Sequence, residues 1–149
     1  MDELLARLAA AGVTWALADH LGSVRHLFNT AGSVYNRRTY DSFGTLASQT
    51  EPALQFAFAY TGRYTDPATG LQHNRARWYD PLNGRFNRVD PFAGNMQDPQ
   101  SLHKYLYCHA NPVNAVDPSG LFGKRPVRIA GSKRQAEGGG DLLFQWSPV

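Results

Sequence analysis

Cysteine is almost missing from this chain. Cys108 is the only one, so no disulfide can close within it, and a tetrahedral zinc site would lack a second thiolate. Long apolar runs are missing too, since no stretch approaches the roughly 20 residues that span a bilayer as a helix. Asp2 and Glu3 stand where a signal peptide carries its positive n-region, so export by the general secretory route is not encoded here. There is no Gly-x-Ser-x-Gly elbow, and no glycine-rich loop between a strand and a helix to cradle phosphate. His20, His26, His73, His103 and His109 show no metal-ligand spacing, and Cys108-His109 with His103 is too small a donor set. Neither a metal nor another cofactor is expected.

Excess charge is confined to one end. The net charge is +3, yet residues 1–121 hold 10 Lys+Arg and 10 Asp+Glu, while residues 122–149 hold 5 and 2. A basic tail of this kind can meet nucleic acid or an anionic membrane surface, or can be a solvated linker. Its basic residues are Lys124, Arg125, Arg128, Lys133 and Arg134. Its aromatics are few and offer no stacking platform, which argues against nucleic acid as a partner.

What the chain does have is a rhythm of short aromatic and β-branched runs broken by turn residues. Residues 13–18, 24–29, 34–40, 56–65, 71–79 and 85–89 read as strands. Between them stand DHLGS, TAGS, DSFG, DPATG and DPLNG. Glycine accepts positive φ and proline presets φ near −65°, so each break has a turn mechanism. The spacing predicts a mainly β fold built as an antiparallel hairpin meander.

The rhythm contains a repeat. Gly32 to Gly44 and Gly70 to Gly84 both read glycine, strand, arginine, Tyr-Asp, turn, glycine. Tyr64 to Gly70 is a partial third copy. Such hairpins need neighbours to bury their faces. In each unit the tyrosine ring is expected to pack on the sheet and the aspartate to accept turn N–H groups.

The two ends differ from the middle. Residues 2–11 carry a helix-like pattern ended by Gly12, with a strand as the alternative. Residues 101–110 read as a short helix with Ser101 as N-cap and Leu102, Tyr105, Leu106 and His109 on one face, stopped by Asn111-Pro112. Residues 114–121 form a turn element, and residues 122–149 are rich in glycine and charge. The expected divisions are a lead-in at 1–18, a core at 19–121 and a flexible basic tail at 122–149.

Four motifs in this order, DHLGSVRHL, YDSFG, TGLQHNRARWYDPLNGRFNRVDPFAG and YLYCHANPVNAVDPSGL, make the chain resemble the RHS repeat-associated core of RHS/YD-repeat proteins. The family is similar to toxin-complex C components and teneurins. The resemblance covers residues 19–121. It implies strips of β-hairpins coiled into a hollow shell, closed at its end by a plug-like core motif with a short helix. It implies the rest of the shell and an enclosed toxin segment as partners. It also implies delivery to the cell surface or outside through a specialised secretion apparatus. A complete shell needs several hundred residues, so this chain is expected to be the C-terminal part of one.

The resemblance further implies an aspartyl self-cleavage after the Leu of the final motif, at Leu121–Phe122. Asp90 and Asp117 match the motif's carboxylates and Arg77 its arginine. Two close carboxylates cannot both ionise, so one activates water while the other donates a hydrogen bond. The residues alone leave a plainer reading open. Asp-Pro is a common turn opener, and Arg75 and Arg77, two apart, would share a sheet face and form cross-strand ion pairs.

Overall fold

The computed structural model describes residues 6–9, 12–54, 56–121 and 125–126. Five strands run in sequence order as one antiparallel sheet: β1 (Ala6–Ala9), β2 (Gly12–Ala18), β3 (Val24–Phe28), β4 (Val34–Tyr40) and β5 (Leu46–Gln49). A second sheet holds β6 (Gln72–Asn74), β7 (Arg77–Asp80) and β8 (Arg85–Phe86). The last pair is β9 (Ala115–Val116) with β10 (Arg125–Pro126), antiparallel, with Arg125 opposite Val116. The mainly β meander expected from the spacing is the fold observed.

One turn chemistry builds the large sheet. Asp19, Asn29 and Asp41 each open a five-residue turn. The side-chain Oδ1 of each accepts the N–H groups two and four residues on, at 2.9 to 3.0 Å. A glycine fills the fourth position, at φ +87°, +78° and +95° respectively. An Asx side chain thus replaces backbone partners while glycine supplies the left-handed residue. The expected strand over 24–29 therefore ends at Phe28, because Asn29 belongs to the turn.

Several expected elements take other forms. Ala6–Ala9 is a strand paired with β2, so the strand alternative holds at the N-terminal end and the helical one does not. The run 56–65 breaks at a 3-10 turn, Tyr60–Gly62, with only an isolated bridge from Phe58 to Tyr64. The run 71–79 divides into β6 and β7 because Arg75 sits at φ +58°. The short helix over 101–110 is two 3-10 turns, Pro99–Leu102 and Cys108–Ala110. Ser101 does not cap a helix; its hydroxyl accepts the Asn95 N–H instead. Most of the expected basic tail lies outside the described residues, including Phe122, Lys124, Arg128, Lys133 and Arg134.

The core is aromatic. Tyr79, Phe86 and Tyr107 form a triangle of rings with centroids 4.1 to 5.8 Å apart. Tyr60, Cys108 and Ala115 complete this cluster, and Tyr40 packs against it. Two of the buried rings pair their hydroxyls: Tyr79 donates to the Phe43 carbonyl at 2.7 Å, and Tyr60 to those of Ser42 and Pro112, whereas the Tyr107 hydroxyl is buried without a partner. The Tyr-Asp unit works as expected, since Tyr40 and Tyr79 face the core while Asp41 and Asp80 accept turn N–H groups. A second cluster, Val24, Leu27 and Phe56, joins the large sheet to the 54–58 segment. Buried Arg38 ties that segment down by donating to the Phe56 and Leu54 carbonyls.

The turns make a graded prediction. A Cβ at Gly44 would lie 2.3 Å from the Tyr60 ring, whereas one at Gly32 meets nothing within 4 Å. Gly32→Ala should cost about 1–2 kcal/mol, the left-handed penalty alone. Gly44→Ala should add roughly 1–3 kcal/mol of overlap. Urea denaturation of the two full-length variants checks this, and equal midpoints would contradict it.

Candidate functional site

The site begins with where β7 starts. The left-handed residue Arg75 turns the chain between β6 and β7, so Arg75 is exposed while Arg77 is only 4% exposed. The two arginines do not share a sheet face, contrary to expectation, because a turn rather than one strand separates them. Nor does Arg77, opposite Asn74 in the β6–β7 ladder, form a cross-strand ion pair. Its guanidinium reaches sideways to three loops.

Four groups receive it. Nη2 lies 2.7 Å from Asp90 Oδ2 and 3.9 Å from Asp117 Oδ2. Nη1 donates to the Lys104 carbonyl at 3.1 Å, and Nε donates to the Gly120 carbonyl. Beneath it lies the Phe86 ring, with its centroid 3.7 Å from Cζ. A planar fork of fixed donors suits this set, and stacking on an aromatic face is the other property that separates arginine from lysine.

Asp117 does two jobs at once. Its Oδ1 accepts the N–H groups of Ser119 and Gly120 at 3.1 and 2.9 Å and the Ser119 hydroxyl at 3.1 Å, which closes the final turn. Its Oδ2 faces Arg77. Burial pushes its carboxyl above the usual carboxylate range, against the opposing pull of those N–H groups and of Arg77. Asp90 is held by its own turn: Oδ1 accepts the Phe92 N–H at 2.9 Å, and its N–H donates to the Lys104 carbonyl at 2.9 Å. Both aspartates are turn openers, as the plain reading had it, and both also meet at one guanidinium nitrogen.

The last turn is seated on the β6–β7 turn. Arg63 donates to the Pro118 carbonyl at 2.7 Å, and the Ala76 N–H donates to that of Ser119 at 3.1 Å. A Cβ at Gly120 would lie 1.9 Å from the Asn74 carbonyl oxygen, so only glycine fits there. Leu121 then reaches the rim of a crevice of about 20 Å³ that Arg77, Asp90 and Asp117 line from within. That volume suits about one water molecule.

The opposite wall was not found by reasoning from sequence. It comprises Gln100, Ser101, His103, Leu106, Cys108 and His109. His109 faces Asp98, with Nδ1 3.8 Å from Oδ2. The signal lay in the run YCHAN, where no glycine serves a turn; it was read as helix instead. The nearby tyrosines are not proton acceptors, because burial drives the Tyr79 and Tyr107 hydroxyls well above the ordinary phenol value. Among the described residues, no group of three or more His, Cys, Asp or Glu is placed to hold a metal ion. None of their helices is long and apolar enough to cross a membrane.

Comparisons with known proteins agree with this architecture. A family model described as Teneurin YD-shell matches residues 3–113. Salivary gland surface protein 1 of Aedes aegypti is 36% identical over 106 residues, which is 70% of this chain and 3% of that protein. Double-stranded DNA deaminase toxin A of Burkholderia cenocepacia is 35% identical over 113 residues, 70% of this chain and 7% of that one. The crystal structure of TcdB2-TccC3-Cdc42 superposes with a TM-score of 0.65 at 28% identity, covering 73% of this chain and 5% of the other. The chain therefore spans less than a tenth of the length of each of these three.

Removing the guanidinium takes the facing cation from buried Asp117 and half-buried Asp90 and one donor from each of two carbonyls. Arg77→Ala should destabilise the fold by about 3–5 kcal/mol, the usual cost of breaking a buried pair. Arg77→Lys should recover less than half of that, because one ammonium cannot span four acceptors. Thermal denaturation of the full chain reads both, and a lysine variant as stable as the parent would contradict the fork geometry.

Proposed function

We propose that this chain, which belongs to the Teneurin YD-shell family, closes the end of such a shell and cuts its own backbone once, after Leu121. Its shell role is structural: the sequential hairpins are the wall, and the turns carry no separate chemistry. The divisions we propose are a lead-in at 1–18, a plugging core at 19–121, and a segment from Phe122 onward that cleavage would set free. The partners we propose are the remaining shell wall and an enclosed toxin segment, with a secretion apparatus delivering the whole. Toxins and toxin-complex structures among the relatives support that context.

One observation carries the cleavage reading. Asp90 and Asp117 share Arg77 Nη2 inside a crevice that fits about one water and has Leu121 at its rim. The environments differ in the way an acid–base pair requires. Asp117, its carboxyl raised by burial, takes the acid's part toward the Leu121 carbonyl oxygen in this reading. Asp90, closer to Arg77, takes a proton from the water. The hydroxide so formed adds to the carbonyl carbon, and the bond to the Phe122 nitrogen breaks.

Asparagine substitutions test this without dismantling the turns. Asn keeps the Oδ1 acceptor that Phe92, Ser119 and Gly120 use. Intact-mass measurement of the full chain should show a break after Leu121. In Asp90→Asn and Asp117→Asn the rate should fall by roughly 100-fold or more. A chain that stays whole, or variants cut at the parental rate, would leave only the shell role.

The pH dependence has a definite sign. A carboxyl held above its usual range keeps its proton as pH rises through that range and loses it only at higher pH. Cleavage that needs protonated Asp117 should therefore persist through the ordinary carboxylate range and fall as pH rises beyond it. A rate that climbs monotonically with pH would contradict the assignment of Asp117 as the acid.

A further inference from the structure

Among the described residues, three Asp-Pro turns bring a side-chain donor to their own aspartate, and they use it in two ways. At Asp66 and Asp80 the donor stands three residues on: the Thr69 hydroxyl and the Asn83 amide reach Oδ2 at 2.5 and 2.6 Å. Backbone N–H groups take Oδ1, so both oxygens of each carboxylate are engaged. At Asp117 the donor stands two residues on. The Ser119 hydroxyl reaches Oδ1 at 3.1 Å, the oxygen that already accepts the Ser119 and Gly120 N–H groups. The third position here is Gly120, where a Cβ would lie 1.9 Å from the Asn74 carbonyl oxygen, so no side chain can stand there to reach Oδ2. Oδ2 is left to face Arg77 Nη2 at 3.9 Å.

This arrangement decides where a proton can sit. A carboxylate oxygen has about two lone pairs, and three donors already crowd Oδ1. A proton taken up by Asp117 therefore belongs on Oδ2, the oxygen turned toward the guanidinium. The same hydroxyl also reaches forward, for Ser119 Oγ accepts the Leu121 N–H at 3.2 Å. One side chain thus ties the Leu121 main chain to the carboxyl. The serine is itself anchored, since its carbonyl accepts the Ala76 N–H at 3.1 Å.

We propose that Ser119 is a positioning residue for the cut after Leu121: its hydroxyl keeps the acid proton of Asp117 on Oδ2 and holds the Leu121 main chain beside that carboxyl. The role rests on the cleavage reading above. Ser119 itself neither gains nor loses a proton, and it acts through Asp117. The other charged or titratable groups facing Asp117 are Arg77 from β7, Asp90 from the loop after β8, and His103, Cys108 and His109 across the crevice. Among the described contacts, Ser119 is the side chain that bonds both Asp117 and Leu121.

Ser119→Ala, Ser119→Cys and Ser119→Thr test the role in the full-length chain. Alanine removes the hydroxyl but keeps both backbone N–H donors, so the variant should fold and melt near the parental temperature. Intact-mass time courses should show its cleavage slowed about 10-fold, the cost of one hydrogen bond to a charged group. A donor lost from Oδ1 favours the protonated carboxyl, so the fall of the rate at high pH should move to higher pH. A residue that only supports the fold would leave that limb where it is. Cysteine keeps the bulk with a weaker donor and should fall between alanine and the parent. Threonine keeps the hydroxyl and should restore most of the rate and the parental limb. A parental limb in Ser119→Ala, or a threonine variant as slow as the alanine one, overturns the role of Ser119 while the aspartate pair stands. A parent chain that never cleaves overturns both.

Discussion

A single buried guanidinium organises the C-terminal half of this chain. Arg77 is fixed from below by Phe86 and from the sides by the Gly120 and Lys104 carbonyls, and it in turn fixes Asp90 and Asp117. The four polar partners lie 13 to 43 residues away in sequence, on three separate loops. Single backbone bonds, such as that from the Asp90 N–H to the Lys104 carbonyl and from the Ala76 N–H to the Ser119 carbonyl, set the loops near one another, and the guanidinium is the side chain that joins all of them. Burying that charge is expensive by itself, and only the full set of acceptors and the ring beneath it make the arrangement stable.

The internal repeat supplies a control within the same molecule. Arg38 stands two residues before Tyr40, as Arg77 stands two before Tyr79. Both are buried, and both donate to backbone carbonyls of a following loop. Arg38 meets the Phe56, Phe58 and Leu54 carbonyls, and its pocket contains no carboxylate pair among the described contacts. The first copy of the unit is thus a structural clamp. The second copy uses the same clamp and adds two aspartates to it. The chemical potential of the site comes from what was brought to the arginine, not from the repeat itself.

How much of this was legible in the sequence follows from which signals are local. The hairpin turns are local. An Asx residue, a glycine three positions on and a serine or threonine after it define a closed hydrogen-bond pattern, so the meander could be read directly. The strand over 34–40 was read to its residue limits because a turn of this kind bounds it at each end. Elements without such punctuation were misread. The run 71–79 contains no glycine, yet Arg75 turns the chain because Asn74 and Arg77 are needed on the inside. The apparent helix at 101–110 has helical spacing of apolar residues, but Tyr107 and Cys108 are claimed by the aromatic cluster, and tertiary packing overrides a weak local preference.

The same distinction explains the site. Asp90, Asp117 and Arg77 could be named only through a resemblance, since Asp-Pro by itself signals a turn, and a turn is what each aspartate forms. The structure adds that the two roles do not compete. A carboxylate has two oxygens, and in Asp117 one closes the turn while the other faces the guanidinium. The turn holds the side chain rigid, and rigidity is what a group needs if it is to meet a backbone carbonyl only a few residues further along its own chain. Under the proposed cleavage the target is the site's own neighbouring peptide bond, and an open pocket would add nothing. That reaction asks for a fixed turn, which Oδ1 closes, room for one water, which the crevice offers, and a carboxyl raised by burial against the opposing pull of Arg77.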